Sequence, residues 1–242
     1  MLEPGRLTEL RERLATARSV CVLTGSGISS ESGLPTFRGT GGLWNDRRVE
    51  ELASPQGFAR DPRLVWTWYN ERRAAHATSQ PNAGHVALAE FERRCPDFTL
   101  ATQNVDSLHL RAGSRNVFEL HGNLREARCD RCGVRRGLEG GMPLDEIEHD
   151  CGGRFRPDIV WFGEALPREP WSGAAEAAQR AEAMLVIGTS GLVNPAASLV
   201  THFARGAFVV EINPEPTAIT YRADAVLREA AAAALPQLLD VR

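Results

Sequence analysis

Gln103, Asn104 and Asp106, in the stretch QNVDSLH, and His121, in ELHGNL, each follow a short apolar run. Amide, carboxylate and imidazole side chains gathered at strand ends can bind an amide-bearing ring and move a proton near neutral pH. Of the six histidines, His121, followed by a glycine, has the best claim to act as a base, whereas His76, His85, His149 and His202 read as structural. A further stretch, TGSGISSESGLPTFR from Thr24 to Arg38, follows the apolar run SVCVL. Its Gly25 and Gly27 let backbone N–H groups approach a pyrophosphate closely at a strand-to-helix turn. A hydride-transferring dehydrogenase needs Gly or Ala in the sixth place of such a turn and an acid about twenty residues on. Here Ser30 and the segment NDRRVE stand there, which argues against that chemistry. Finally, Cys129-x-x-Cys132 in a chain with an odd number of cysteines points to metal before disulfide.

The elements that must position these groups are short apolar runs: SVCVLT (19–24), FTLAT (98–102), NVFEL (116–120), DIVWF (158–162), AMLVIGT (183–189) and FVVEI (208–212). Several are continuous rather than alternating, as expected for strands covered on both faces. Helical patterns such as LTELRERLATA, PNAGHVALAEFERR and PAASLVTHFA lie between them, so the chain reads as α/β with a parallel sheet. Residues 41–80, rich in Trp and Arg, and 125–155, holding Cys129, Cys132 and Cys151, break the rhythm and read as a second, smaller lobe. The main domain then comprises 1–40, 81–124 and 156–242. A cleft between the lobes would lie over the C-terminal ends of the strands, where such sheets bind ligands.

Composition bounds the function. A chain of 242 residues, 43% apolar, can bury a full core. Its net charge of -3 gives no footprint for nucleic acid or a membrane surface. No apolar run approaches the roughly 20 residues of a spanning helix and no signal-peptide core is present, so a cytoplasmic protein is expected. All 28 basic residues are arginine, which excludes Schiff-base lysine chemistry and a Walker-type phosphate lysine.

The motifs GSGISSESGLPTFR, QNVDSLH, ELHGNL, Cys-x-x-Cys, RPDIVWFGE, VIGTSGLVNPAA and EINPEPT, in this order from about residue 19 to about 236, resemble the sirtuin family of NAD-dependent protein lysine deacylases. The resemblance implies a Rossmann-like NAD domain with a smaller zinc-bearing lobe, NAD and acyl-lysine peptide entering the cleft from opposite sides. It implies that Gly25, Ser26, Gly27, Ser29 and Glu31 belong to the phosphate-cradling segment, and that Thr36, Phe37 and Arg38 form a loop over the nicotinamide ribose. Phe37 would exclude water from a reactive ribosyl intermediate. Gln103, Asn104, Val105 and Asp106 match the nicotinamide and ribose pocket and His121 the base, while Gly188, Thr189, Ser190, Asn213, Glu215 and Ala231 match positions holding the adenosine half. Substrate main chain would add as a strand between Val160, Phe162, Gly163 and Glu164 on one side and Val193 with its neighbours on the other. The products would be free lysine, nicotinamide and O-acyl-ADP-ribose.

Two finer features concern this chain. Tyr69-Asn70-Glu71-Arg72 is similar to the Tyr-x-x-Arg of sirtuins that remove succinyl, malonyl and glutaryl groups, with small Ser30 where those enzymes keep a small residue. Residues three apart share a helix face, so a phenol and a guanidinium can grip one carboxylate. The metal site departs from the family's four cysteines: Cys151 aligns with the fourth, and Glu148 or His149 stands available for the third. Rival readings are a plain deacetylase, a mono-ADP-ribosyltransferase, and a non-catalytic NAD or ADP-ribose sensor with an interaction lobe.

Overall fold

Continuous apolar runs supply most strands of the main sheet, as their double-sided burial requires. The computed structural model describes residues 4–35, 43–44 and 47–240. Its strands are β1 (Ser19–Thr24), β2 (Leu43–Trp44), β3 (Arg47–Arg48), β4 (Asp97–Thr102), β5 (Val117–Glu119), β6 (Gly122–Cys129), β7 (Arg135–Gly137), β8 (Phe155–Ile159), β9 (Ala183–Ile187), β10 (Phe208–Ile212) and β11 (Ala225–Leu227). The α-helices are α1 (Pro4–Thr16), α2 (Val49–Leu52), α3 (Pro55–Arg60), α4 (Pro62–Thr78), α5 (Ala83–Glu92), α6 (Leu108–Arg111), α7 (Arg168–Arg180) and α8 (Ala231–Leu238).

Six strands form one parallel sheet in the order β11-β10-β9-β1-β4-β5. Side chains alternate across it, as strand geometry dictates. Val20 and Val22 of β1 pack with Leu10 and Leu14 of α1, Leu88 and Phe91 of α5, and Leu235 and Leu238 of α8. Cys21 and Leu23 turn to the opposite face, against Ala174 and Ala178 of α7 and the short π-helical turn Leu199–Phe203. Because every strand points the same way, Thr24, Thr102, Ile187 and Ile212 all end at one edge, and the segments that follow them must meet there.

A third core joins α2, α3 and α4 to a separate antiparallel sheet, β7-β6-β8, through Phe58, Trp66, Tyr69, Leu124, Ala127, Phe155, Ile159 and Trp161. Capping starts its helices. The Ser54 and Asp61 side chains accept from Gly57 N–H (3.1 Å) and Leu64 N–H (2.9 Å), with Pro55 and Pro62 at the first helical positions.

Three expectations change. DIVWF does not join the parallel sheet: its first residues pair with β6, and the strand ends at Ile159. The segment after β1 forms a 3-10 helix, Ser26–Ser32, closed by Gly33 in the left-handed conformation at φ 81°. PAASLVTHFA narrows to the π-helical turn Leu199–Phe203. Among the described residues no helix is long and apolar enough to cross a membrane.

Candidate active site

The sheet edge gathers the turns after β1, β4, β9 and β10. Gly25 N–H donates to Ile187 O (3.0 Å) and Gly27 N–H to Gly188 O (2.9 Å), so the first two glycine turns are locked backbone to backbone. The fit leaves no room for a side chain: a Cβ on Gly188, itself at φ 60°, would lie 2.5 Å from Ile28 N. Gln103 Nε2 donates to Thr189 Oγ1 (2.9 Å), and Asn213 Nδ2 to Thr189 O (3.0 Å). Asn213 Oδ1 accepts from Glu215 N–H (3.3 Å), and Ser190 Oγ from Leu192 N–H (3.3 Å). Glu31 serves the neighbouring element, its carboxylate accepting from Ala232 N–H (2.8 Å) at the start of α8, beside buried Ala231.

Beneath this edge lies a buried polar chain. Ser29 Oγ donates to Asp106 Oδ2 (2.7 Å) and accepts from Asn104 Nδ2 (3.2 Å), whose amide also reaches Gly25 O (3.1 Å). Leu108 N–H donates to Asp106 Oδ1 (2.9 Å). Burial holds the Asp106 carboxyl above the usual carboxylate range, against those bonds from Leu108 and Ser29. Val105 contributes backbone, its carbonyl accepting from Leu124 N–H (3.1 Å). The donor set suits a dinucleotide: glycine backbone at the turns, and amide and carboxylate side chains where a polar ring and ribose hydroxyls need partners.

His121 follows β5, one residue before β6. Its Nδ1 lies 3.0 Å from Gln103 O. A carbonyl only accepts, so Nδ1 carries the proton and the Nε2 lone pair is left for chemistry. Burial lowers the imidazole pKa, opposed by the Gln103 hydrogen bond, so the ring is neutral at physiological pH. Its carbonyl accepts from Val160 N–H (2.9 Å), and Gly122, at φ 74°, must be glycine because a Cβ there would sit 2.0 Å from Asp158 O.

Val160 leads into the stretch Trp161, Phe162, Gly163, Glu164. Phe162 is 53% exposed, and Val193 and Leu192, in the segment after β9, are 47% and 69% exposed, so both predicted substrate segments carry bare apolar side chains. Trp161 is buried instead and donates from Nε1 to Tyr69 Oη (2.9 Å). Arg72, one turn on along α4, lies beside the Trp68 ring at 5.1 Å; burial lowers its pKa, opposed by Tyr69. A chain of direct contacts therefore runs from His121 through Val160 and Trp161 to Tyr69.

Farther out, Cys129, Cys132, His149 and Cys151 bring their ligand atoms within 4.8 Å of one another. His149 Nδ1 lies 3.0 Å from Cys151 Sγ and 3.7 Å from Cys132 Sγ, and Cys129 Sγ is 3.5 Å from Cys151 Sγ. Three thiols and one imidazole converging on a point fit a tetrahedral structural zinc. Glu148, the other candidate third ligand, instead pairs with Arg154 (3.0 Å).

The Sir2 family model matches residues 25–195. The chain is 50% identical over 232 residues to an NAD-dependent protein deacylase of Pyrobaculum aerophilum, covering 94% of this chain and 92% of the relative. It is 50% identical over 226 residues to one of Aquifex aeolicus, covering 92% and 94%. The chain belongs to the Sir2 family. Solved sirtuin structures superpose over nearly its whole length. A Sir2 homologue bound to NAD gives a TM-score of 0.90 at 45% identity, covering 96% of this chain and 92% of that one. A mutant Sir2 homologue with 2'-O-acetyl ADP ribose gives 0.89 at 43%, covering 99% and 96%, and a Sir2–p53 peptide–NAD+ complex 0.86 at 30%, covering 99% and 98%.

Within this sirtuin, Thr36, Phe37 and Arg38 lie outside the described residues. Sequence reasoning passed over two groups. His85, read as structural, accepts from Asn82 N–H at Nδ1 (3.3 Å) in a capping box and so presents Nε2–H to Ser29 Oγ, 3.5 Å away; the Asn82-x-x-His85 spacing is the signal. Trp161 stood inside the substrate stretch, but nothing in its spacing shows that it turns away toward α4.

Proposed function

We propose that this sirtuin removes acyl groups from protein lysines at the expense of NAD, releasing nicotinamide and O-acyl-ADP-ribose, with a preference for acyl groups that end in a carboxylate. The observation carrying the deacylase reading is His121, whose Nδ1 is committed to Gln103 O while its backbone is bonded to Val160. That arrangement supports a base with a free Nε2 beside the strand along which an acyl-lysine peptide would lie. His121 would take a proton from a ribose hydroxyl, Gln103, Asn104 and Asp106 would orient the nicotinamide riboside, and the glycine turns would hold the phosphates. The intact base and nicotinamide residues argue against a non-catalytic sensor.

The acidic-acyl preference rests on Tyr69 and Arg72, one turn apart on α4 and reached from Val160 through Trp161. Burial pushes the Tyr69 phenol up to about 12, so it stays a proton donor, and Arg72 supplies the cation. Cys129, Cys132, His149 and Cys151 would hold zinc, whose contribution is folding energy for the small lobe rather than a step in the reaction. Five free cysteines suit the reducing setting of a cytoplasmic enzyme.

Mass spectrometry of NAD reactions with matched acetyl, succinyl, malonyl and glutaryl peptides tests the whole reading. Arg72→Met should weaken action on succinyl peptides by about ten- to a hundredfold, the worth of one charged hydrogen bond, and leave acetyl peptides much less affected. Equal slowing of both would make Arg72 structural.

A further inference from the structure

Tyr69 and Trp161 are both almost fully buried, and the bond between them has only one possible polarity. An indole N–H donates and cannot accept, so Trp161 Nε1 is the donor and Tyr69 Oη the acceptor, at 2.9 Å. The phenol's own proton must then point elsewhere. Among the described residues it has no hydrogen-bond acceptor.

Trp161 is itself fixed from several sides. Arg156 stacks on its ring with the guanidinium carbon 3.4 Å from the ring centroid, and Phe58 packs at 5.4 Å. Arg156 also grips both Glu164 oxygens and donates to Ile159 O (2.9 Å). Glu164 returns to accept from Trp161 N–H (2.9 Å), and Glu164 N–H donates to Trp161 O (3.0 Å). Such a network allows the indole almost no rotation. The flanking side chains differ in exposure, Phe162 being half bare while Trp161 is 2% exposed. The indole is therefore placed against α4 rather than in the cleft.

We infer that Trp161 is a specificity-determining positioning residue: its indole N–H occupies the acceptor side of the Tyr69 hydroxyl, which turns the phenolic proton toward the carboxylate of an acidic acyl group held with Arg72. The inference rests on the acidic-acyl reading and adds to it the residue that sets the direction of the Tyr69 proton. Without the indole donor, the phenol oxygen has an unused lone pair in a buried site and its proton can swing among several directions. An acetyl group carries no carboxylate and is indifferent to that orientation. Arg156 and Glu164 act one step farther back, by holding the indole.

The test is a double-mutant cycle on the whole enzyme, with succinyl- and acetyl-lysine versions of one peptide and NAD saturating. Trp161→Phe keeps an aromatic ring for Arg156 and Phe58 but deletes the N–H. The expected result is a rise of about fivefold in KM for the succinyl peptide, the size of one net hydrogen bond, with kcat for both peptides and KM for acetyl within about twofold. In a Tyr69→Phe background the same substitution should change nothing further, because the bond is already gone. A purely structural role would lower kcat/KM for both peptides by a common factor, and that result overturns the inference. If Trp161→Phe fails to fold, the indole N–H resonance of the wild type decides, assigned as the one displaced in Tyr69→Phe. With ADP-ribose present it should move on adding succinyl peptide and stay in place with acetyl peptide; equal or absent movement overturns the inference. A wild type blind to the acyl carboxylate overturns the acidic-acyl reading and this inference together. A wild type that prefers succinyl peptide and loses that preference in Arg72→Met, but keeps it in Trp161→Phe, overturns this inference alone.

Discussion

Replacing Gly27 by alanine tests whether the backbone of the first turn, rather than any side chain, is what receives the pyrophosphate. A Cβ at Gly27 would stand 2.6 Å from Gly188 Cα, 2.8 Å from Gly188 O and 3.0 Å from Gly188 C. All three are main-chain atoms, so no rotamer change relieves the clash. Carbon atoms pack at about 3.5 to 4.0 Å, and the two turns must therefore part by about 1 Å. The Gly27 N–H to Gly188 O bond, now 2.9 Å, would stretch to about 3.9 Å, outside hydrogen-bond range. Overpacking costs about 1 to 3 kcal/mol and the lost bond about 1 more, a total of about 2 to 4 kcal/mol divided between folding and ligand affinity. Urea unfolding and calorimetric titration with ADP-ribose read the two shares. The expected outcome is a lower unfolding midpoint and an ADP-ribose affinity at least about tenfold weaker, since tenfold corresponds to 1.4 kcal/mol. Gly33→Ala is the control: Gly33 lies at φ 81° with nothing within 4 Å of its virtual Cβ. Strain of about 1 to 2 kcal/mol should lower its stability and leave ADP-ribose binding alone. A Gly27→Ala enzyme as stable as the wild type and binding ADP-ribose equally well would refute the reasoning.

His121→Ala should keep NAD binding and lose about 10² to 10⁴ in turnover, and the acid limb of wild-type kcat/KM should fall below the ordinary histidine value of 6.5, because burial lowers the His121 pKa; full activity in the variant would remove His121 from its assigned role. Metal analysis should find close to one zinc per chain, with His149→Ala or a chelator lowering the unfolding midpoint more than the chemistry of the folded fraction; a stable metal-free preparation would count against the Cys-Cys-His-Cys site. Acid should destabilise the fold through His85, whose pKa burial pushes down to about 4. The unfolded chain takes up that proton near 6.5 and the folded one does not, so the contribution is intact above 6.5 and lost as pH falls toward 4, reaching about 2 kcal/mol at pH 5. In His85→Gln the urea midpoint should depend less steeply on pH over that window, and an unchanged slope would exclude His85 as the source.

Legibility from sequence followed length and burial. SVCVLT, AMLVIGT and FVVEI, mostly apolar without alternation because both faces are covered, matched β1, β9 and β10 closely, with Glu211 buried within β10. DIVWF has the same texture but lines the third core, because an apolar run records that a strand is buried and not by which sheet. β11, three residues long, is too short for any periodicity to show. The meeting of the glycine turns with the QNVD stretch at one sheet edge was readable because each falls directly after a strand, where parallel topology leaves few places to go. His149 was harder: two residues from Cys151, it breaks the paired Cys-x-x-Cys spacing, and only the antiparallel pairing of β8 with β6 brings it to the three cysteines. The burial of Trp161 against Tyr69 depended on which way a side chain turns after its strand has ended, which spacing cannot encode.

The antiparallel sheet gives the metal cluster a reach that its location conceals. β6 starts at Gly122, beside His121, and ends at Cys129, one of the four clustered side chains. Eight residues of strand span about 25 Å. Its partner β8 begins four residues after Cys151 and runs on into Val160, which is tied back to His121 by one main-chain hydrogen bond. The two strands are thus the arms of a pair of tongs, joined at the cysteine end and meeting at the histidine. A zinc ion held by Cys129, Cys132, His149 and Cys151 would sit at the root of both arms, so exchanging it for one that favours different ligand angles is expected to shift Val160 against His121 from a distance.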